Sequence, residues 1–287
     1  MKIVAGMLVR NEQWCIGATV SAALDWCDEI VLLDDNSSDN TMEIARSFGN
    51  RVITRKRAPR GEFWDEMEAR QELADLVLAR NPEVFALVDG DEMLPVPFRR
   101  DIRAVLDTLP PDTVLAPQAL NPWNSLDEMR VDRCQWTTNF WTAAIKIGDV
   151  PLVWKSAKDG YTHHHRVPDG VKTAKLSGPV DQLGVVHLQF ASLPRRWWKH
   201  KLYVLTEWLR WGREGRKQSS PRSLLKKYGA AFDEKGLKLE PVPDTWFHPE
   251  EKSAIFLASP GWYKAECERL IHEHPEIPEE LVAWNLI

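Results

Sequence analysis

Apolar, strand-like runs and amphipathic helical stretches alternate along the first third of the chain. Runs at 3–9, 29–33, 51–54 and 84–88 predict four strands rich in consecutive apolar residues, the signature of parallel strands covered on both faces. The intervening segments 16–26, 41–48 and 63–80 predict helices. In the last of these, Met67, Leu73, Leu76 and Val77 recur at helical spacing, and Asn81-Pro82 ends it. Asp39 is the expected N-cap of the 41–48 helix, which stops at Gly49. This rhythm predicts an α/β protein with a mainly parallel sheet and helices on both faces.

Farther along, Pro95 and Pro97 interrupt the chain, after which Phe98, Ile102, Val105 and Leu106 predict a helix closed by Pro110-Pro111. A strand follows at 114–120. Beyond Asn121 the sequence is irregular and Trp-rich, with strands expected near 142–147 and 185–189. Trp197, Leu202, Leu205, Trp208 and Leu209 then predict an amphipathic helix over 196–211. Ser220-Pro221 and Ser259-Pro260 each set a capping hydroxyl before a first-turn proline, and the second opens a helix reaching to His274. Three regions are expected: an α/β domain over 1–120, a region continuous with the sheet over 121–195, and a helical C-terminal extension over 196–287.

The chain of 287 residues is 44% hydrophobic and 28% charged with a net charge of -5, which excludes a disordered protein. Its charge is uneven. Between Arg195 and Lys227 eleven basic residues stand against two acidic ones, a local +9 that suits phosphates, a polyanion, an anionic membrane surface or simply a solvated helix face. Cys15, Cys27, Cys134 and Cys267 are too dispersed for a zinc knuckle or a disulfide framework and suit a reducing compartment. The first nine residues lack the features of a signal peptide, and no apolar run approaches the roughly 20 residues that span a bilayer. A cytoplasmic protein is expected.

In an open α/β sheet, ligands bind beyond the carboxyl ends of the strands. Here those ends are Arg10-Asn11-Glu12, Asp34-Asp35-Asn36-Ser37-Ser38-Asp39 and Asp89-Gly90-Asp91-Glu92. The last cluster ends an apolar strand in three carboxylates, whose hard oxygens suit Mg2+ or Mn2+ and, through the cation, a diphosphate. Asp-Gly is also a common turn dipeptide.

Met7-Leu8-Val9-Arg10-Asn11-Glu12, the stretch from Ile30 to Thr41 containing Asp34-Asp35, and Asp89-Gly90-Asp91-Glu92 occur in the order and spacing of family 2 glycosyltransferases. The chain resembles that family, and within it is most similar to small bacterial lipopolysaccharide-core sugar transferases, which usually carry alanine where this chain has Gly90. The likeness covers 1–120 well and 140–205 weakly. It implies the GT-A fold and a metal-dependent transferase that moves a sugar from a nucleotide diphosphate sugar, UDP-sugar first, to an acceptor hydroxyl with inversion. The acceptor, whether glycan, lipid, protein or modified nucleobase, stays open.

By position, the resemblance implies that Asp35 accepts the N3-H of a uracil-like base, with Leu8 and Arg10 beside the ring. Arg70 falls near the nucleotide, although it also stands one helical turn from Glu66. Asp91 would bind Mn2+ or Mg2+ directly, and Asp89 would reach the ribose or the water shell of the metal, with Gly90 between them. His187 is either a further metal ligand or a core histidine held by a backbone carbonyl. Where similar transferases have a histidine followed by glutamate, this chain has His163-His164-His165. Adjacent residues on an extended segment point to opposite faces, which argues against a three-histidine zinc site. His164 and Asp159 are the candidates for the general base of an inverting reaction.

Two other classes remain at this point. A nucleotidyltransferase also uses paired carboxylates but usually has a Gly-rich phosphate loop near its first strand, and none is present here. A non-catalytic nucleic-acid or membrane binder would use the basic and aromatic residues Arg195, Arg196, Trp197, Trp198, Lys199, His200 and Lys201.

Overall fold

The computed structural model describes residues 1–58, 66–154, 166–257 and 262–285. The chain opens with β1 (Ile3–Val9), α1 (Ile16–Leu24), β2 (Glu29–Asp34), α2 (Thr41–Arg46), β3 (Val52–Lys56), α3 (Glu66–Leu78) and β4 (Val84–Leu87). It continues through β5 (Glu92–Met93), α4 (Val96–Thr108), β6 (Thr113–Pro117), β7 (Ala119–Leu120), β8 (Glu128–Arg130), α5 (Gln135–Thr138) and β9 (Ala144–Lys146). The last part contains β10 (Lys172–Leu176), β11 (Val185–His187), α6 (Leu193–Glu207), α7 (Pro221–Gly229), β12 (Leu239–Pro241), α8 (Pro249–Ser253), α9 (Trp262–Glu273) and α10 (Glu279–Val282).

Seven strands form one sheet in the order β10-β6-β9-β4-β1-β2-β3. It is parallel except for β9, which runs antiparallel to both β4 and β6. Successive side chains of a strand face opposite sides. Ile30 and Leu32 therefore pack with Ile16 and Val20 of α1 and Ile102 and Leu106 of α4. Val31 and Leu33, from the same strand, pack with Leu73, Ala74 and Val77 of α3. Helices on both faces leave the strand no polar side, which explains its continuous apolar run; each such side chain contributes about 1.5–3 kcal/mol by burial.

The strand expected at 114–120 is two strands. Pro117 has no N–H to continue the ladder, and the chain passes into a separate three-stranded sheet of order β5-β11-β7. In that sheet His187 of β11 pairs in antiparallel register with Glu92 of β5. A residue from late in the chain is thereby brought beside the acidic turn after β4.

The α6 helix starts earlier than its apolar spacing predicts, because Ser192 caps it: its side chain accepts the N–H of Arg195. At its far end the helix loosens into a π-turn at Trp208–Gly212. Leu202, Leu205 and Leu209 pack with Leu224 of α7 and with Tyr263, Cys267 and Leu270 of α9. At α2 the cap position belongs to Asn40 rather than Asp39, yet Asp39 Oδ1 still accepts the Thr41 N–H at 3.0 Å. No helix among the described residues is long and apolar enough to cross a membrane.

Candidate functional site

The ends of β1 and β2 are stitched together by their own polar residues. Asn11 and Asn36 adopt φ values of 54° and 61°, a left-handed conformation that asparagine tolerates better than most residues. The Asn11 N–H donates to Ser37 Oγ at 2.8 Å, and Asn11 Oδ1 accepts the Ser38 N–H at 2.7 Å. Thr41 Oγ1 accepts the Glu12 N–H at 2.8 Å. The two adjacent aspartates then divide. Asp34 closes the turn by accepting the Ser37 N–H at 3.1 Å, whereas Asp35 faces a cleft.

That cleft has a volume of about 230 Å3. From the strand ends and α3 it is lined by Leu8, Arg10, Asp35, Arg70, Asp89, Gly90 and Asp91, so the expected nucleotide-binding residues share one cavity. Its opposite wall is the C-terminal extension. Lys199, Leu202, Tyr203, Thr206 and Arg210 line it at helical spacing along α6 and its continuation, and Trp262 and Tyr263 come from α9. The Arg10 guanidinium lies over the Trp262 ring, 4.5 Å from its centroid.

Five carboxylates at this edge, Glu12, Asp35, Asp89, Asp91 and Glu92, each have a cationic partner from the same chain. Asp35 meets Arg57 at 3.5 Å and Arg10 at 3.7 Å. Asp89 meets Arg166 at 2.7 Å and Arg70 at 3.4 Å, and Arg166 also reaches Glu92 at 2.5 Å. Asp91 Oδ2 lies 3.0 Å from Lys199 Nζ and 3.5 Å from His187 Nε2. Glu12 accepts from Arg195 at 3.0 Å and from the Trp14 indole N–H.

The protonation equilibria follow from these partners. Burial by itself would raise the Asp91 carboxyl, but Lys199 and then His187 outweigh it and hold it well below the usual carboxylate range. Burial likewise opposes ionisation of Asp89, and Arg166 and Arg70 overcome it. Lys199 is the reverse case. Burial works against its ammonium, yet Asp91 holds the proton on well above the ordinary lysine value. At Glu12 burial wins and the carboxyl is raised despite Arg195.

Of the expected metal set, His187 Nε2 lies 3.5 Å from Asp91 Oδ2, while Asp89 turns to Arg166 and Arg70. Among the described residues no three His, Cys, Asp or Glu side chains converge to hold an ion. Asp89 and Asp91 turn to different internal cations, and His187 lies buried behind Asp91 without lining the cleft. Its ring packs against Trp141 at 4.8 Å and Phe190 at 5.9 Å between centroids, and its Nδ1 has no hydrogen-bond partner. His187 is buried and faces the Asp91 carboxylate rather than a backbone carbonyl.

Arg70 bonds Glu66 one turn back and also reaches Asp89. Gly90 has a steric cause. A Cβ there would lie 2.9 Å from Val9 Cγ1 and 3.1 Å from Glu12 Cγ, so an alanine does not fit without movement. His164 and Asp159, the expected bases, lie with His163 and His165 outside the described residues.

The basic run does not form one surface patch, because several of its members turn inward. Arg195 turns in to Glu12, Lys199 to Asp91, and Lys201 to the carbonyl oxygens of Val282 and Trp284. Arg196 is wholly buried, 4.1 Å from the Trp123 ring centroid. Arg213, Lys217, Arg222 and Lys226 are the exposed members.

Sequence reasoning did not find Arg57, Arg166, Arg195 or Lys199 as partners of the acidic edge, nor Glu12 as a buried hub. The spacing of Lys199, Tyr203, Thr206 and Arg210 on one helix face was the available signal.

A cleft of this kind, at the carboxyl ends of a mainly parallel sheet, marks an α/β protein that binds its ligand at the strand termini. Residues 5–141 match the model of glycosyl transferase family 2. That segment, just under half of the chain, is similar to the family, and the architecture is mixed α/β with a large, mostly parallel sheet. Comparison with curated proteins finds no match. Among solved structures, S. aureus TarS 1-349 is 16% identical over 73% of this chain and 66% of its own, with a TM-score of 0.45. GalNAc-T7, crystallised with UDP, GalNAc and Mn2+, is 11% identical over 80% of this chain and 54% of its own, also at 0.45. Glucosyl-3-phosphoglycerate synthase from Mycobacterium tuberculosis, in complex with Mn2+, UDP and glucosyl-3-phosphoglycerate, is 20% identical over 42% of this chain, with a TM-score of 0.32. The chain spans 44% of the length of that synthase.

Proposed function

We propose that the protein moves a sugar from a nucleoside diphosphate sugar, UDP-sugar first, to an acceptor hydroxyl with inversion at C1. The observation that carries this reading is the convergence of Arg10, Asp35, Arg70, Asp89 and Asp91 on one cleft beyond β1, β2 and β4. Asp35 is an acceptor only, so it selects a base edge that offers an N–H. Leu8 and Arg10 flank the ring, and Asp89 accepts from a ribose hydroxyl.

Negative charge builds on the diphosphate as the bond to C1 breaks. Cationic side chains fixed around the cleft before the donor arrives favour that charge more than the ground state, which lowers the barrier. Inversion also requires removal of the proton from the attacking hydroxyl; His164 and Asp159 are the candidates that the sequence offers.

The reading is tested by incubating the purified protein with a panel of nucleotide sugars and measuring release of UDP and GDP. Release from a UDP-sugar that falls at least about 100-fold in Asp91→Asn supports it, a loss of the size that one electrostatic contact supplies. Release from no donor, or equal release by the variant, overturns it.

A further inference from the structure

The two walls of the cleft touch where the end of β1 meets the start of α9: the Arg10 guanidinium carbon lies 4.5 Å from the centroid of the Trp262 ring. Arg10 has little else to orient it. Its ion pair with Asp35 spans 3.7 Å, longer than a hydrogen bond, and its Nε has no hydrogen-bond partner. A guanidinium is planar and stacks on aromatic faces, so the indole sets its plane. Trp262 is held in turn by its own helix. The ring of the next residue, Tyr263, is buried 5.1 Å from the Arg195 guanidinium carbon, and its hydroxyl donates to Glu12 Oε1 at 3.5 Å. Cys267 and Leu270 of α9 pack with Leu202 and Leu205 of α6. The Arg10 side chain stays 37% exposed and lines the cleft together with Asp35 and Trp262, so part of the guanidinium is open to a ligand. Trp262 lies outside residues 5–141, which match the model of glycosyl transferase family 2, so this contact comes from the C-terminal extension.

We propose that Trp262 is a positioning residue for the base of the donor: it backs the Arg10 guanidinium, so that the base stacks on the opposite face of that group while its N–H edge meets Asp35. The proposal rests on the nucleotide-sugar reading of the cleft and concerns what the C-terminal extension adds to it. A nucleobase has a π-face and stacks on a planar cation as an aromatic side chain does. A guanidinium whose plane is set before the ligand enters loses less side-chain freedom on binding. Asp35 then selects the edge of the base, and the Arg10–Trp262 pair sets its plane. Trp262 acts through Arg10 and does not itself touch the base.

Titration calorimetry with UDP and with UMP, Mn2+ being present throughout, tests this on the wild type, Trp262→Ala, Trp262→Phe, Arg10→Ala and the double variant Arg10→Ala/Trp262→Ala. Trp262→Ala is expected to bind both nucleotides about five- to tenfold more weakly, since they share the base. Trp262→Phe is expected to stay within about threefold of wild type, because a ring still backs the guanidinium, which separates loss of the stack from loss of the fold. Arg10→Ala is expected to lose at least as much as Trp262→Ala, and the double variant to bind within about twofold of Arg10→Ala, because the indole has no route to the base without Arg10. Binding by Trp262→Ala within about twofold of wild type overturns the proposal alone. So do losses that multiply in the double variant, a Trp262→Phe as weak as Trp262→Ala, or a loss confined to UDP, which would place Trp262 at the phosphates. No UDP binding by the wild type overturns the nucleotide reading as well.

Discussion

Lys199 Nζ and Asp91 Oδ2 lie 3.0 Å apart across 108 residues of sequence, joining the C-terminal helical extension to the acidic end of the central sheet. Because both groups are nearly buried, removing one leaves the other charged and desolvated, a change that costs about 3–5 kcal/mol. Asp91→Asn is therefore expected to lower stability as well as activity.

The pH dependence of that cost has a definite sign. The folded Asp91 carboxyl titrates well below its ordinary value, so its stabilisation is complete above the unfolded value and is lost as pH falls through the folded one. Lys199 titrates well above its ordinary value, so its share is complete at neutral pH and is lost only on the alkaline side, as pH rises through the folded value. Denaturant unfolding is expected to give a wild-type advantage over Asp91→Asn that is level across neutral pH and shrinks below about pH 4. An advantage equally large at about pH 2 would contradict the ion pair as its source.

On the proposed nucleotide-sugar reading, Asp35 selects the base. Replacing it with asparagine puts an amide donor where only acceptors stood, so UDP affinity is expected to fall about tenfold while CDP, which offers no N3-H, loses less. Competition calorimetry with the two nucleotides reads the ratio. A preference for UDP that survives intact in Asp35→Asn would remove Asp35 from the base contact.

Gly90 is required by packing rather than by backbone conformation. Gly90→Ala is expected to destabilise the protein by about 1–3 kcal/mol, because the new methyl meets the stiff Val9 side chain at 2.9 Å. Thermal unfolding of Gly90→Ala with and without Val9→Ala checks the cause. The double variant should recover part of the loss if the clash is with Val9, and none of it if the cause lies elsewhere.

Arg196 stands among Trp123, Phe232 and Phe190, with centroids 4.1, 5.3 and 5.7 Å from its guanidinium carbon. One amino group donates to Asn124 Oδ1 at 3.1 Å, whereas its Nε and other amino group have no partner. Burial pushes the guanidinium down to about 10, so it stays charged at neutral pH at a cost to the folded state. Arg196→Met preserves most of the volume without the charge and is expected to stabilise the protein by about 1–3 kcal/mol, measured by denaturant unfolding at neutral pH. A loss of stability would show that the aromatic cage and Asn124 outweigh the desolvation.

The parallel half of the fold was legible because β1, β2 and β4 are buried on both faces, so their apolar runs and polar ends stand out without reference to any other segment. Arg10, Asp35, Asp89 and Asp91 stand at or just beyond those ends, whereas Leu8 and Arg70 came from the resemblance to family 2 glycosyltransferases. The insertion of β9 between β4 and β6 was not legible, since three residues of ordinary composition do not reveal which strands they join. Pro117 was the visible sign that the strand at 114–120 divides, but its destination in a second sheet depends on β11. The inward turn of Arg195, Arg196, Lys199 and Lys201 was hidden for a related reason: a local charge count does not show what the facing elements carry. Glu12 and Asp91, from far upstream, convert a basic helix face into buried ion pairs.

The central claim, that the cleft beyond β1, β2 and β4 holds a nucleoside diphosphate sugar, is tested most directly by photolabelling with 5-azido-UDP-glucose and mapping the modified peptides. The account predicts label that excess UDP displaces, on peptides containing Leu8 to Arg10, Asp35 or Trp262, which line the cleft. Displaceable label confined to the exposed basic residues between Arg213 and Lys226, or label that UDP does not displace, would contradict it.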